Sequence, residues 1–257
     1  MTTRKTAARK ARSPKRAAKP AAKPASTSVR TLAVDIGGTG IKTIVLDEKG
    51  APLTERIREE TPKPATPEAC VAMIVGQAAR HGAFDRVSVG FPGVVHSGTV
   101  ATAPNLDKSW AGFNLAKTLT SSLKKPARVL NDADVQGFAA IKGKGVELVI
   151  TLGTGLGSAI YLDGRLVPNL ELAHHPFRDG KTYEECVGNA ALKKLGKKRW
   201  NRNVQRAVKE LAKAINYNAI YIGGGNAKKL QGDLPPLATV IDNTAGLLGG
   251  IALWRYA

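Results

Sequence analysis

The sequence predicts an α/β protein made of two similar halves that face one another across a cleft, and three observations carry that prediction. A plan of apolar strand, glycine turn and apolar strand occurs twice, over residues 32–46 and 146–162. Such strands alternate along the chain with helical patterns, which is the order of layered α/β architectures. The glycine turns and several carboxylates follow the strands directly, and ligands of open α/β sheets sit outside those carboxyl ends. With 257 residues and 43% hydrophobic content the chain can bury two cores.

Charge divides the chain first. Residues 1–30 hold ten Lys or Arg and no acid, so that +9 of the net +19 remains for the rest. The segment is Ala, Lys, Arg, Pro and Ser with few large apolar side chains, too few to offset the entropy of ordering. Residues 1–28 are therefore expected to be a disordered basic tail that contacts polyanions or nucleic acid non-specifically. A secretory signal is excluded, since no apolar stretch follows the early charges; an acid-free transit peptide is the alternative on composition. No run of eighteen apolar residues occurs, so no membrane-spanning helix is expected. Residues 29–130 and 131–257 are expected to form a smaller and a larger α/β domain.

The first hairpin joins its strands through Gly37, Gly38, Thr39 and Gly40, with Lys42 just beyond. Glycines allow close backbone approach, and N–H groups of such a turn can converge on a phosphate. Asp35 ends an otherwise apolar strand at the turn's entrance. A carboxylate there suits Mg²⁺, which takes one or two carboxylates, waters and substrate phosphate oxygens. Taken alone this is equally an ordinary glycine hairpin.

Residues 61–67 form a proline-rich connector, residues 68–81 an amphipathic helix closed by Gly82, and residues 86–91 a strand ending in a Pro92-Gly93 turn. A short helix is expected over residues 114–123. Val129-Leu-Asn-Asp-Ala-Asp134 is another strand ending in carboxylates. The second hairpin turns through Gly153, Thr154 and Gly155, and Ile220-Tyr-Ile-Gly-Gly-Gly225 places Gly223 and Gly224 in a third glycine turn. One site shared by all three turns and Asp132 is the economical reading. Gly180-Lys181-Thr182 imitates the end of a phosphate-binding P-loop, but His175 stands where that loop needs its first glycine. The two cysteines, Cys70 and Cys186, argue against a disulfide scaffold and read as small buried hydrophobes in a reducing compartment.

Residues 189–215 read as one long helix. Trp200, Val204, Val208, Leu211 and Ile215 fall on one stripe, and Lys194, Lys198, Arg202, Arg206, Lys209 and Lys213 on another. A face of one charge sign is unfavourable unless an anion uses it, which marks Lys194, Lys198, Arg202 and Arg206 as a polyanion track.

Asp35-Ile-Gly-Gly-Thr-Gly-Ile-Lys42, Phe91-Pro-Gly-Val-Val95, Asn131-Asp132-Ala-Asp134, Thr151-Leu-Gly-Thr-Gly-Leu-Gly157 and Ile222-Gly-Gly-Gly225 together resemble the ROK sugar kinases of the actin-like ATPase superfamily. Within that family the polyphosphate glucokinases are the nearest likeness, through Ala103-Pro-Asn-Leu-Asp-Lys-Ser-Trp110, Leu166-Val-Pro-Asn-Leu-Glu171 and Asn243-Thr-Ala-Gly-Leu247. The likeness runs from about residue 31 to the C-terminus. It implies the ribonuclease H-like, actin-like fold with an interdomain active-site cleft, and a cytoplasmic, homodimeric, Mg²⁺-using transferase that makes glucose 6-phosphate from glucose and inorganic polyphosphate. ATP is the alternative donor, the Gly223 turn being a place for its adenosine. A sugar-sensing nucleic-acid-binding regulator is an alternative of another class, although only a low-complexity tail precedes Asp35.

By the same resemblance Asp132 is the general base, Asn105 and Asn131 hold sugar hydroxyls, and Glu171 and His174 match a Glu-x-Gly-His sugar element whose glycine is here Ala173. A further sugar-binding glutamate follows, Glu184 fitting the spacing better than Glu185. Many ROK proteins carry a cysteine-rich zinc cluster after that element; this chain has only Cys186 there, so zinc is not expected.

Overall fold

The computed structural model describes residue 1 and residues 28–241 and 249–254. Most of the basic tail and the residue 243–247 motif lie outside the described residues. Two five-stranded sheets form the core, and both are built to one plan. In the first, β1 (Thr31–Ile36), β2 (Ile41–Leu46) and β3 (Ile57–Glu59) run antiparallel, and β1 continues in parallel to β4 (Arg86–Phe91) and β7 (Ala127–Asn131). In the second, β8 (Val146–Leu152), β9 (Leu156–Leu162) and β10 (Arg165–Val167) are the antiparallel three, and β8 continues in parallel to β13 (Ala219–Gly223) and β14 (Ala238–Val240). The expected duplication of the hairpins thus extends to whole sheets. Two-stranded ribbons β5/β6 (Val95–His96, Thr99–Val100) and β11/β12 (Pro176–Arg178, Lys181–Thr182) decorate them.

The helices begin where the sequence supplies caps. Helix α1 (Pro67–His81) has Thr66 accepting the Ala69 N–H and Pro67 in its first turn, where a missing N–H costs nothing. Helix α2 (Leu115–Leu123) starts on Asn114, whose side chain accepts from Lys117. Cys70, Ile74, Leu115 and Leu119 bury against Leu32, Val34 and Val87, so α1 and α2 cover one face of the first sheet. Both cysteines are free and buried, as expected.

Helix α3 (Asp132–Phe138) leaves β7 without a loop. It packs between the sheets, where Phe138 meets Tyr161 edge to face with ring centroids 5.0 Å apart. On the other side of the second sheet lie α4 (Tyr183–Val187) and α5 (Asn189–Ile215), which bury Trp200, Val204, Val208 and Leu211. Trp200 also donates to the Val187 carbonyl at 2.7 Å, so its one polar atom is satisfied inside the core. Ile215 is only partly buried, so the expected stripe fades at its last position. The predicted single helix over 189–215 is broken at Gly196, where φ is +72° and ψ 162°.

Gly249–Trp254 crosses the division expected at residue 130 and returns to the first sheet. Gly250 accepts from Ser88 at 2.7 Å, Trp254 donates to the same hydroxyl at 2.8 Å, and Ile251 packs on Ala33, Ile44 and Leu46. A Cβ on Gly249 would stand 1.8 Å from the Val135 carbonyl, so only glycine allows this crossing of α3.

Candidate active site

All three glycine turns converge with Asp132 on one cavity of about 200 Å³ between the sheets. It is lined from the first hairpin by Asp35, Gly37, Thr39, Gly40 and Lys42, from the second by Thr151 and Gly153, and from the third turn by Gly224. The structure therefore brings these positions together in one place. Gly38, Thr154, Gly155 and Gly223 lie on the same turns without lining the cavity.

Each turn is held by a different device. In the first, Gly37 donates to Gly40 at 3.0 Å while its carbonyl accepts from Thr61 at 2.5 Å. In the second, Gly153 donates to Gly155 at 3.1 Å, and its carbonyl accepts from the Asn226 amide at 3.0 Å. Asn189 donates to the Thr154 carbonyl at 3.1 Å, so α5 starts against this turn. In the third, Gly224 has φ +87°, and a Cβ there would come within 2.5 Å of the Leu152 carbonyl oxygen. The second and third turns are thus packed backbone to backbone.

Asp132 opens α3, so its position follows from the cap that starts the helix. Asn131 accepts the Ala133 and Asp134 N–H groups at 2.8 and 3.4 Å and donates to the Gly93 carbonyl at 3.1 Å. This redirects the expectation that Asn131 holds sugar hydroxyls: its Oδ1 is spent on the cap, and one amide hydrogen remains. Burial raises the Asp132 carboxyl from 3.8 to about 7, the Asp35 charge adds to that, the Ala133 N–H opposes it and Glu171 contributes further. A carboxyl poised near neutrality suits proton transfer.

Asp35 sits directly across the hairpin from Lys42, with Oδ2 2.6 Å from Nζ. Among the described residues no group of three or more His, Cys, Asp or Glu side chains is placed to hold a metal. Asp35 is a hard oxygen donor beside a phosphate-type turn, which fits the modest protein share of a Mg²⁺ shell, and its charge disfavours ionisation of Asp132.

Residues expected to bind sugar gather outside this cavity. Glu171 is half buried, and its carboxyl is raised by burial, opposed by His174 and raised again by Glu184. His174 is exposed, as is Asn105, whose Cβ and carbonyl lie 3.5 Å from the Cβ position of Gly38. Glu184 accepts from the Leu156 N–H at 3.4 Å, and only the missing side chain of Gly155 leaves it room. Glu185 instead closes the α4 capping box with Thr182, which separates the two glutamates.

Three residues were not foreseen. Arg58, on β3 opposite Lys42, donates to the Thr39 carbonyl at 3.3 Å and lines the cavity. Gln136 also lines it, with a buried Nε2 that has no partner among the described residues. Its place four residues after Asp132 is the helical spacing that signals a shared face. Asp134 is 1% exposed, and among the described residues its carboxylate oxygens make no hydrogen bond of good geometry, the Asn169 backbone N–H only opposing the rise of its carboxyl. Burial raises it to about 7, and Asp132 adds to that.

The expected polyanion track is rearranged. The Gly196 break separates Lys194 from Lys198, and both are solvent-exposed. Arg202 and Arg206 line a second cavity away from the glycine turns.

The chain is similar to known proteins along most of its length. The ROK family pattern matches residues 31–170. A polyphosphate glucokinase of Mycobacterium tuberculosis is 34% identical over 241 residues, covering 87% of this chain and 91% of that protein. The structure of an inorganic polyphosphate/ATP-glucomannokinase from an Arthrobacter strain superposes with a TM-score of 0.79 at 35% identity, covering 88% of this chain and 99% of the other. A ROK glucokinase from Streptomyces griseus, solved with glucose and AMPPNP, has a TM-score of 0.73 at 23% identity over 87% of this chain and 98% of its own, and shares the fold.

Proposed function

We propose, since the chain belongs to the ROK family, that it transfers the terminal phosphoryl group of inorganic polyphosphate to the 6-hydroxyl of glucose. The observation that carries this reading is the meeting of three glycine turns, two cations and a buried carboxyl near neutrality in one cavity. Phosphoryl transfer asks for little more than in-line placement, charge neutralisation and one proton acceptor.

In the step itself the glucose O6 attacks the terminal phosphorus. The O6–P bond forms as the bridging P–O bond breaks, the hydroxyl proton passes to the Asp132 carboxylate, and the donor leaves one phosphate shorter with the bond's electron pair on its oxygen. Lys42, Arg58, the turn N–H groups and the unpartnered Gln136 amide face the phosphates. Asp35 would hold Mg²⁺, which when bound supplies further neutralisation of phosphate charge and leaves Asp132 free to take the proton. Glu171, with His174 and Glu184 around it, is the sugar-facing group, because its partly desolvated carboxyl would be left unpaired by a sugar lacking the matching hydroxyl.

The donor assignment is supported by the names of the relatives and by the cationic face of α5. Initial rates of glucose 6-phosphate formation with polyphosphate or ATP, at matched donor concentration, test it. Formation from ATP alone would overturn the polyphosphate reading and leave a glucose kinase.

A further inference from the structure

Two neighbouring cavities lie along α5, outside the site just described. The first, about 500 Å³, is bounded by Arg178 and Lys181 of the β11/β12 ribbon, Glu185 and Cys186 of α4, and Arg199, Arg202 and Arg206 of α5. The second, about 630 Å³, shares Arg202 and Arg206 and continues past Lys209 and Lys213 to the Pro235-Pro236 loop. Together they make one groove whose lining carries seven cations against three carboxylates.

Those carboxylates are already engaged. Asp179 binds Arg178 at 2.9 Å, Glu185 caps α4, and Glu210 lies 3.4 Å from Lys213. Among the described residues Lys181, Arg199, Arg202, Arg206 and Lys209 form no ion pair. Four or five uncompensated cations facing one groove repel one another unless an anion lies among them. Arginine forks suit phosphate oxygens. The groove is long rather than round: from Arg199 to Lys213 the helix rises about 21 Å. Among the described residues Tyr217 is the one aromatic that lines it and is 5% exposed, so they offer no stacking platform of the kind that holds single-stranded nucleic acid.

We propose that this groove binds linear inorganic polyphosphate at a distance from the reacting end. As a donor-anchoring site it rests on the polyphosphate reading above. The groove and the transfer site are linked through α4 and the start of α5: Glu184 of α4 faces the second glycine turn while Glu185 and Cys186 line the groove, and α5 starts on Thr154. Thirteen residues separate Asn189 from Arg202, about 20 Å along an unbroken helix, and the Gly196 break redirects that path. A donor must exceed a threshold length to reach from one to the other.

The test uses the full chain with Arg199→Gln, Arg202→Gln and Arg206→Gln combined, all three being exposed and outside the cores. Binding of a long polyphosphate is followed by calorimetry across a salt series, and KM is measured for long polyphosphate, tripolyphosphate and glucose. With the coefficient for single-stranded polyanions, each lost contact is worth about fourfold at roughly 0.15 M salt, so three should weaken long-chain binding about fiftyfold and flatten the log–log salt slope by about 2. The KM values for tripolyphosphate and glucose should stay unchanged. Unaltered long-chain affinity, an equal effect on short and long donors, or tight oligonucleotide binding that polyphosphate does not displace would each overturn the groove. Polyphosphate binding that depends on the three arginines, in an enzyme that turns over only ATP, would sustain the groove and overturn the donor reading instead.

Discussion

Asp132→Asn separates the proton acceptor from everything else in the site. The wild-type carboxyl titrates at about 7 instead of 3.8, because burial and then the Asp35 charge disfavour its ionised form. If its carboxylate takes the sugar proton, kcat/KM climbs about tenfold per pH unit below 7 and levels off above it. Asparagine accepts no proton, so the variant's residual rate should be flat with pH. At pH 8 the deficit should be the roughly 10²–10⁴-fold typical of a lost general base. At pH 5 the wild type is itself down about a hundredfold, and the ratio should shrink by that factor. Stability should move oppositely. A carboxyl raised on folding binds more protons in the folded state between about pH 4 and 7, so wild-type stability falls as pH rises through that window. Some 3 units at about 1.4 kcal/mol each set a ceiling near 4 kcal/mol, and partial exposure with coupling to Asp134 lowers it to about 1–3 kcal/mol. The variant lacks this loss, so it should resist urea better than wild type at pH 8 and match it near pH 4. Coupled assays of glucose 6-phosphate from pH 5 to 8, with urea melts on the same samples, read both quantities. A rate ratio constant with pH, or a rate loss accompanied by lower stability at pH 8, would refute the assignment.

Asp134→Asn should likewise raise stability above pH 7, by about 1–3 kcal/mol, because burial and the Asp132 charge raise the native carboxyl to about 7; the gain should vanish near pH 4, and urea melts that differ equally at both pH values would contradict the cause given. Glu171→Gln should raise KM for glucose at least tenfold with little change in donor KM, read from two-substrate kinetics. Arg58→Ala should raise donor KM several-fold for tripolyphosphate and long chains alike, since Arg58 stands at the first turn rather than in the groove; a glucose KM that moves equally would assign Arg58 to the sugar instead.

What the sequence made legible was the part written in local chemistry. Glycine turns between apolar runs marked both hairpins, and Asn114 marked a helix start. Arg58 was hidden because β3 is three residues long, too short for alternation to register, and only pairing with β2 brings it beside Lys42. Gly249–Trp254 was hidden because its place depends on glycines fitting against Ser88 and Val135, a contact more than a hundred residues distant in sequence. Asn131 carries a second role that its residue type alone does not single out. An asparagine between a strand and a helix is both a ligand type and a preferred N-cap, and here its oxygen caps the Ala133 and Asp134 N–H groups, the first shared with the Asp132 carboxylate. Gly196 was visible but uninterpreted: inside a helical pattern its cost is modest, and only the positive φ makes it a break.

The two hairpins share a backbone plan but divide the work, and the division lies in one pair of positions. Two residues before its first turn glycine, the first hairpin has Asp35 and the second has Thr151; across the ladder their partners are Lys42 and Gly157. The first pair puts a carboxylate and an ammonium into the cavity. The second pair carries no charge. A Cβ on Gly157 would lie 2.4 Å from the Thr151 hydroxyl and 3.0 Å from Ala133, the residue after Asp132. Its absence lets the second sheet approach the start of α3, and that approach helps exclude water from the Asp132 carboxyl and keep its affinity for protons high. Exchanging the pairs would put a charge where the helix must pack and remove it from where phosphate must be met, so two nearly identical folds have to be unequal at this position for one site to form between them.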